Sequence, residues 1–397
     1  MVRELDQRPP QSETEKLSSS VKPKTPTSLA TKKPSALEIL GDFITGMMLD
    51  DLDSTTHEIF IGNTEPEKLS TRQKLGNKIK EKRLSLGEKI TKPFIALKAT
   101  IFVGAIERNI VNPIKPEFPE GFDNTFTEIM KDPSVLPILI SNHTGHADAA
   151  GTAVISRQLT KLVNKTRSSE NQFRGFMLTI AASLESAHQS IFLQQCTNRA
   201  KKILPNYGLS LGAYTRPKDV EKYQMDTKNN RVYAEKTSEI IKGGSEREAD
   251  GLAYYIEGTV EGGRKIKEGE NIGQTKGTQR IDCEQLNKII NKAQSRCHRR
   301  VVIITASSDG ASEVLDPDKD NQPTRKAIKI VINPIPPKKS LLTVRIDMPI
   351  FYDDLIRQLE ERTGQKATTQ DIGDEYGRRI SKGLSPNKQG YYKASNE

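Results

Sequence analysis

The chain has 397 residues, room for two or three domains or for one large α/β domain with an appendage. Only 34% of it is hydrophobic and no run reaches the roughly 18 apolar residues of a spanning helix, which argues against a membrane-spanning protein. A formal charge of +10 favours anionic partners, and Cys196, Cys283 and Cys297 show neither a close pair nor zinc spacing, so reduced structural thiols are expected.

Residues 1–35 are rich in Ser, Thr, Pro and Lys and read as a disordered tail. MVRELDQRPP has no apolar core, so no secretory signal is expected. Lys16 to Lys33 is basic and Ser/Thr-rich, a composition shared with organelle transit peptides, although Glu4, Asp6, Glu13 and Glu15 speak against one. The expected location is cytoplasmic, soluble or peripheral on the inner face of a membrane, with a plastid-like organelle as the alternative.

Residues 36–112 read as a helical subdomain. ALEILGDFITGMMLDDL (36–52) puts Leu37, Leu40, Ile44 and Met47 on one side. A second helix over 71–92 carries Leu75, Ile79, Leu86 and Ile90 in a stripe among lysines and arginines. FIALKATIFVGAIERNI follows Pro93. A basic helix beside an apolar one suits either an anionic membrane surface or simple packing on the main domain with a solvated basic face. The basic stretch has no interleaved aromatics, which disfavours nucleic acid as a partner.

From residue 113 to 397 strand and helix patterns alternate. Strands are expected over 135–141, 175–181, 209–215, 252–256, 301–306, 328–332 and 341–347. Helices are expected over 149–163, 184–203, 233–242, 284–295 and 352–362. Such alternation predicts an α/β fold, a mostly parallel central sheet flanked by helices, with function at the strand C-terminal ends.

Three stretches have the residue types for chemistry. VLPILISNHTGHADAAGT (135–152) is an apolar strand breaking into a polar tip with His143, His146 and Asp148. An imidazole beside a carboxylate is what a general base requires, the acid holding the tautomer and balancing the imidazolium. The same residues are open to reading as a capped surface loop or a weak metal site. LGAYTRPKD (211–219) presents Arg216 after a strand, suited to gripping a phosphate. LAYYIEGTVEGGRK (252–265) runs from a strand into a glycine-rich turn with Arg264 and Lys265. It lacks the GK[ST] ending of a P-loop.

In this order the three stretches resemble the blocks of the glycerolipid acyltransferase superfamily, the glycerol-3-phosphate and lysophosphatidate acyltransferases. The likeness runs from about Ile106 to Tyr392. ISNHTGHAD is similar to the first block, which implies catalytic roles for His143 and Asp148. LGAYTRPKD resembles the second, implying that Arg216 helps bind the acceptor. YYIEGT resembles the third, implying Glu257, Gly258 and Thr259 at the acceptor end beside Arg264 and Lys265. DIGDEYGRRISKGLSPNKQGYY is similar to the family's closing helix and ending. Ile256 and Val260 stand where the third block usually has Pro and Arg, and VVIITASSD lacks the fourth block's Pro. A second register, Glu261-Gly-Gly-Arg264, restores the Arg. The resemblance implies transfer of an acyl group from coenzyme A or acyl carrier protein to a phosphorylated glycerol acceptor, with no metal or bound cofactor. Glycerol-3-phosphate is the expected acceptor; the alternatives are lysophosphatidate as acceptor, or a catalytically degenerate basic lipid- or nucleic-acid-binding protein of the same fold.

Overall fold

The structure is a computed structural model that describes residues 93–143, 147–181, 191–215, 220, 227–255, 281, 283–311, 331, 333 and 341–395. The tail over 1–35 and the helices expected over 36–52 and 71–92 lie outside these residues.

The chain enters as a helix over 93–106 (α1), whose last turn widens into a π-helical segment, Glu107–Val111. A short helix, α2 (Phe122–Ile129), leads to β1 (Leu136–Ser141). Strands and helices then alternate: α3 (Asp148–Asn164), β2 (Phe176–Ala181), α4 (Ile191–Ile203), β3 (Leu209–Tyr214), α5 (Lys228–Lys242), β4 (Gly251–Tyr255), α6 (Glu284–Cys297) and β5 (Val301–Asp309). β6 (Thr343–Ile346), β7 (Ile350–Phe351), α7 (Tyr352–Thr363) and α8 (Thr369–Ser381) complete it.

The sheet runs β3-β2-β4-β1-β5-β6, with β7 also on β5. β3, β2, β4, β1 and β5 are mutually parallel. β6 and β7 pair antiparallel with the end and the start of β5. This is the mostly parallel, helix-covered sheet that the alternating pattern predicts.

Every residue of β1 is buried, as a central parallel strand covered on both faces must be. Its side chains divide by the two-residue strand period. Leu139 faces a core built from Ala99, Phe102, Phe126, Ile155 and Leu159 of α1, α2 and α3. Leu136, Ile138 and Ile140 face the opposite core with Ile240, Ile290, Leu355 and Tyr376 of α5, α6, α7 and α8.

One expected element differs. Val331 has helical backbone hydrogen bonding where a strand is expected over 328–332; the rest of that stretch, apart from Val331, lies outside the described residues. Five residues of which four are apolar fit a helix as well as a strand, so periodicity alone does not separate them. α2 and β7 are elements that the sequence pattern did not single out; β7, two residues long, is too short to show a period.

The crossovers set the position of the site. α3 and α4 carry the chain from β1 to β2 to β3, toward one edge, and pack on one face. α5 and α6 carry it back through β4 to β5 on the other face. A right-handed crossover requires this change of face when the direction reverses. β1 and β4 are therefore neighbours whose following helices, α3 and α6, pack on opposite faces, the arrangement that places a crevice at the C-terminal ends of such strands.

Candidate active site

At the end of β1 the polar tip is anchored from below. Asn142 is fully buried. Its Nδ2 donates to the Ser308 carbonyl at 2.9 Å, and the Ser308 amide donates to its Oδ1 at 2.7 Å. The side chain thus continues the β1–β5 pairing one residue beyond the strand, which fixes where His143 leaves the sheet.

Asp148 is the first residue of α3 and fully buried. The N-terminal end of a 17-residue helix favours a carboxylate there. His143 Nδ1 lies 3.4 Å from Asp148 Oδ2, and the imidazole is 20% exposed while the carboxylate is sealed. The five-residue spacing is closed by a strand-to-helix turn, not by a helix face. The contact is at the long end of hydrogen-bond range, as is common for catalytic bonds before substrate binds.

Helix α3 approaches β5 closely because residue 151 is glycine. A Cβ there would stand 2.7 Å from Ser308 Oγ and 3.2 Å from Val344 Cγ2. The helix start that carries Asp148 is thereby held against the sheet.

Tyr255, the last residue of β4, pairs in register with Ser141 across the crevice. Its ring stacks on the His143 imidazole with centroids 4.4 Å apart and planes 11° from parallel. Its hydroxyl lies 3.0 Å from Thr152 Oγ1, one turn along α3 from Asp148. Burial first, and the Asp148 charge second, push the phenol well above its ordinary pKa, against a smaller opposing effect of the Thr152 hydrogen bond. The phenol is therefore neutral beside the pair.

Of the residues singled out in the sequence, His143 and Asp148 are brought together. Arg216, Glu257, Gly258, Thr259, Arg264 and Lys265 lie outside the described residues, as do His146 and Glu261. Their starting points are described. Tyr255 precedes Glu257 by two residues on β1's immediate neighbour, whereas Thr215 directly follows β3, three strands from β1. Thr215 is clamped by Asn230 of α5, whose side chain accepts from its amide at 2.7 Å and donates to its carbonyl at 3.1 Å.

Asn142, Thr152, Tyr255 and Ser308 carry no sequence signal of a shared site, since their proximity depends on strand order. All four stand in quoted stretches, but there Asn142 reads as a turn residue and the other three as ordinary helix or strand residues.

The other reactive groups fit structural roles. Burial pushes the Cys196 thiol up to about 12, and the Cys283 thiol donates to the Thr369 carbonyl at 3.1 Å. Among the described residues no group of three or more His, Cys, Asp or Glu is arranged to hold a metal ion. No helix among them is long and apolar enough to cross a membrane. A cavity of about 530 Å³ opens along the β3 edge, lined by Leu209, Leu211, Val232, Lys201 and Lys236 among others, and neither His143 nor Asp148 lines it. The crevice site rests on the juxtaposed side chains, not on that cavity.

Fold and site together define an α/β protein with a His–carboxylate pair at the switch point of a parallel sheet. Set against known proteins, the chain matches no family model and no curated protein.

Proposed function

We propose that this chain is an O-acyltransferase that moves a fatty acyl group from a thioester, on coenzyme A or acyl carrier protein, to a hydroxyl of glycerol-3-phosphate in phospholipid synthesis. The observation that carries the reading is the pairing of His143 Nδ1 with buried Asp148 Oδ2 at the mouth of β1. The likeness of three ordered stretches to the glycerolipid acyltransferase blocks supports it.

In this mechanism the Asp148 carboxylate accepts the Nδ1–H and leaves Nε2 as the basic nitrogen. Nε2 takes the proton from the acceptor hydroxyl as its oxygen attacks the thioester carbonyl. The tetrahedral intermediate collapses with cleavage of the C–S bond, and the imidazolium returns its proton to the departing thiolate. The ester and free thiol leave, and His143 is neutral again. Asp148 balances the charge while the imidazole is protonated. Arg216, Arg264 and Lys265 are assigned to the acceptor phosphate, and Glu257, Gly258 and Thr259 to that end of the site.

A thiol-release assay tests the proposal. Purified protein is offered glycerol-3-phosphate or lysophosphatidate with acyl-CoA or acyl carrier protein. Acceptor-dependent thiol release with glycerol-3-phosphate is expected. Release with lysophosphatidate alone reassigns the acceptor, and no release with either rejects acyl transfer.

A further inference from the structure

We propose that Tyr255 is a positioning residue for His143, holding the imidazole plane and stabilising its protonated form through the face of the phenol ring. The placement of the ring is independent of the reaction; only its effect on rate rests on the acyl-transfer reading.

Three features of geometry carry the proposal. The two rings are nearly parallel, 11° apart at 4.4 Å, so the imidazole meets the face of the phenol and not its edge. That face is the electron-rich part of an aromatic ring. A cation within about 6 Å of it is attracted, and a base that gains a proton during the reaction becomes such a cation.

The phenol is itself tied down. Its hydroxyl meets Thr152 Oγ1 at 3.0 Å, and Thr152 is almost fully buried. Asp148 and Thr152 stand four residues apart on α3 and therefore share one face of the helix. One helix thus holds the imidazole at its Nδ1 edge through Asp148 and, through Thr152, holds the ring stacked on its face. The Nδ1 edge contact and the contact on the ring face constrain the imidazole's orientation from two directions.

Tyr255 also lies on β4 while His143 follows β1, so the stack bridges the two strands that border the crevice. An acceptor entering there meets an imidazole already oriented.

The experiment compares Tyr255→Phe, Tyr255→Leu and Tyr255→Met with wild type in two measurements. The first is kcat and KM for thiol release. The second is the NMR titration of the His143 imidazole, assigned by its loss in His143→Gln. Phe keeps the ring face and is expected to keep kcat within about threefold. Leu and Met lose the face and are expected to lower kcat by about 3- to 30-fold with acceptor KM nearly unchanged, the range a cation–π contact spans. Their imidazole titration midpoint is expected to move to lower pH by about half a unit to one unit. Circular dichroism identifies any variant that fails to fold, and Met, which is unbranched and adapts to irregular gaps, serves if Leu does not. Equal kcat and unmoved midpoints in the folded variants overturn the proposal, as does a Phe variant as impaired as Leu. If wild type releases no thiol, the acyl-transfer reading falls and the titration alone decides Tyr255.

Discussion

Asn142 and Ser308 exchange two hydrogen bonds, side chain to backbone in both directions, across 166 residues of sequence. The exchange replaces the next rung of the β1–β5 ladder at the point where β1 must turn away to present His143. Asn142→Leu is expected to leave a buried amide and a buried carbonyl of Ser308 without these partners, at a cost of about 2–4 kcal/mol. Asn142→Asp retains an acceptor for the amide but sets a carboxylate against the carbonyl. Both variants should lower kcat with little change in KM, because Asn142 acts on the reaction only by fixing where His143 leaves β1. Urea denaturation and the thiol-release assay read the two effects separately.

The His143–Asp148 pair yields a graded expectation. His143→Gln should abolish transfer and leave the melting temperature within a few degrees, since the imidazole lies at the surface of the crevice. Asp148→Asn should retain the fold and lose about 10²–10⁴-fold in kcat, because an amide can hold the wrong tautomer and cannot balance the imidazolium. Near-normal transfer in the glutamine variant would remove His143 as the base.

Gly151 governs how closely α3, and with it Asp148, sits on the sheet. Gly151→Ala is expected to be near neutral: the added methyl meets a rotatable serine hydroxyl, and alanine gains about 1 kcal/mol of helix propensity. Gly151→Leu has no such outlet against Ser308 and Val344. It should cost about 1–3 kcal/mol and lengthen the Asp148–His143 contact, with kcat falling in step. Thermal melts with initial rates for the two variants test this; a fully active leucine variant would contradict it.

How much of this was legible beforehand differs between levels. Short apolar runs located β1 to β6 within a few residues because each strand is covered on one or both faces and its apolar residues show it. The helices after β1, β3, β4 and β7 followed from their apolar spacing for the same reason. His143 and Asp148 were visible as residue types near a strand end, yet spacing alone favoured a capped loop and left a weak metal site open. What the chain could not display is the order of strands. That β4 lies beside β1 places Tyr255 on His143, and that β5 lies on β1's other side places Ser308 under Asn142. Neither neighbour is written locally in a tyrosine of a β-rich run or an asparagine in a turn.

Acid should weaken the protein through the C-terminal helices. Burial alone would raise Glu375, but Arg379, Arg378 and Arg362 outweigh it and hold its carboxyl below the usual range. Asp309 behaves alike: burial is opposed by the Lys388 ammonium and the Ser385 amide, and its carboxyl ends below its ordinary value. A folded pKa below the unfolded one means stability present above the unfolded value, roughly pH 4, and lost as pH falls through the folded one. Glu375→Gln should therefore lower stability by about 1–2 kcal/mol at pH 7 and by almost nothing near pH 2. Melting temperatures across this window, for wild type and variant, check the convergence.

Arg299 tests whether the opposite end of the sheet is a rigid base for the site. The side chain is buried, and its guanidinium donates to the carbonyls of Ser134 at 2.9 Å, Val135 at 2.7 Å and Ile240 at 2.7 Å. It thereby joins the entry of β1 to the last turn of α5, where a cation also meets the negative end of the helix. Burial, and then the nearby Arg247 charge, lower its pKa from the usual arginine value, while Asp250 opposes them. A guanidinium remains charged under such pressure, whereas a lysine ammonium in the same place loses its proton more readily and lacks the planar fork. Arg299→Lys should therefore be nearly as damaging as Arg299→Met, each costing about 3 kcal/mol through carbonyls left unpaired in the interior. Because this end lies a full strand length from His143, kcat measured on the folded fraction should stay close to wild type. A lysine variant of native stability would show that charge alone, not the geometry of the fork, holds β1 to α5.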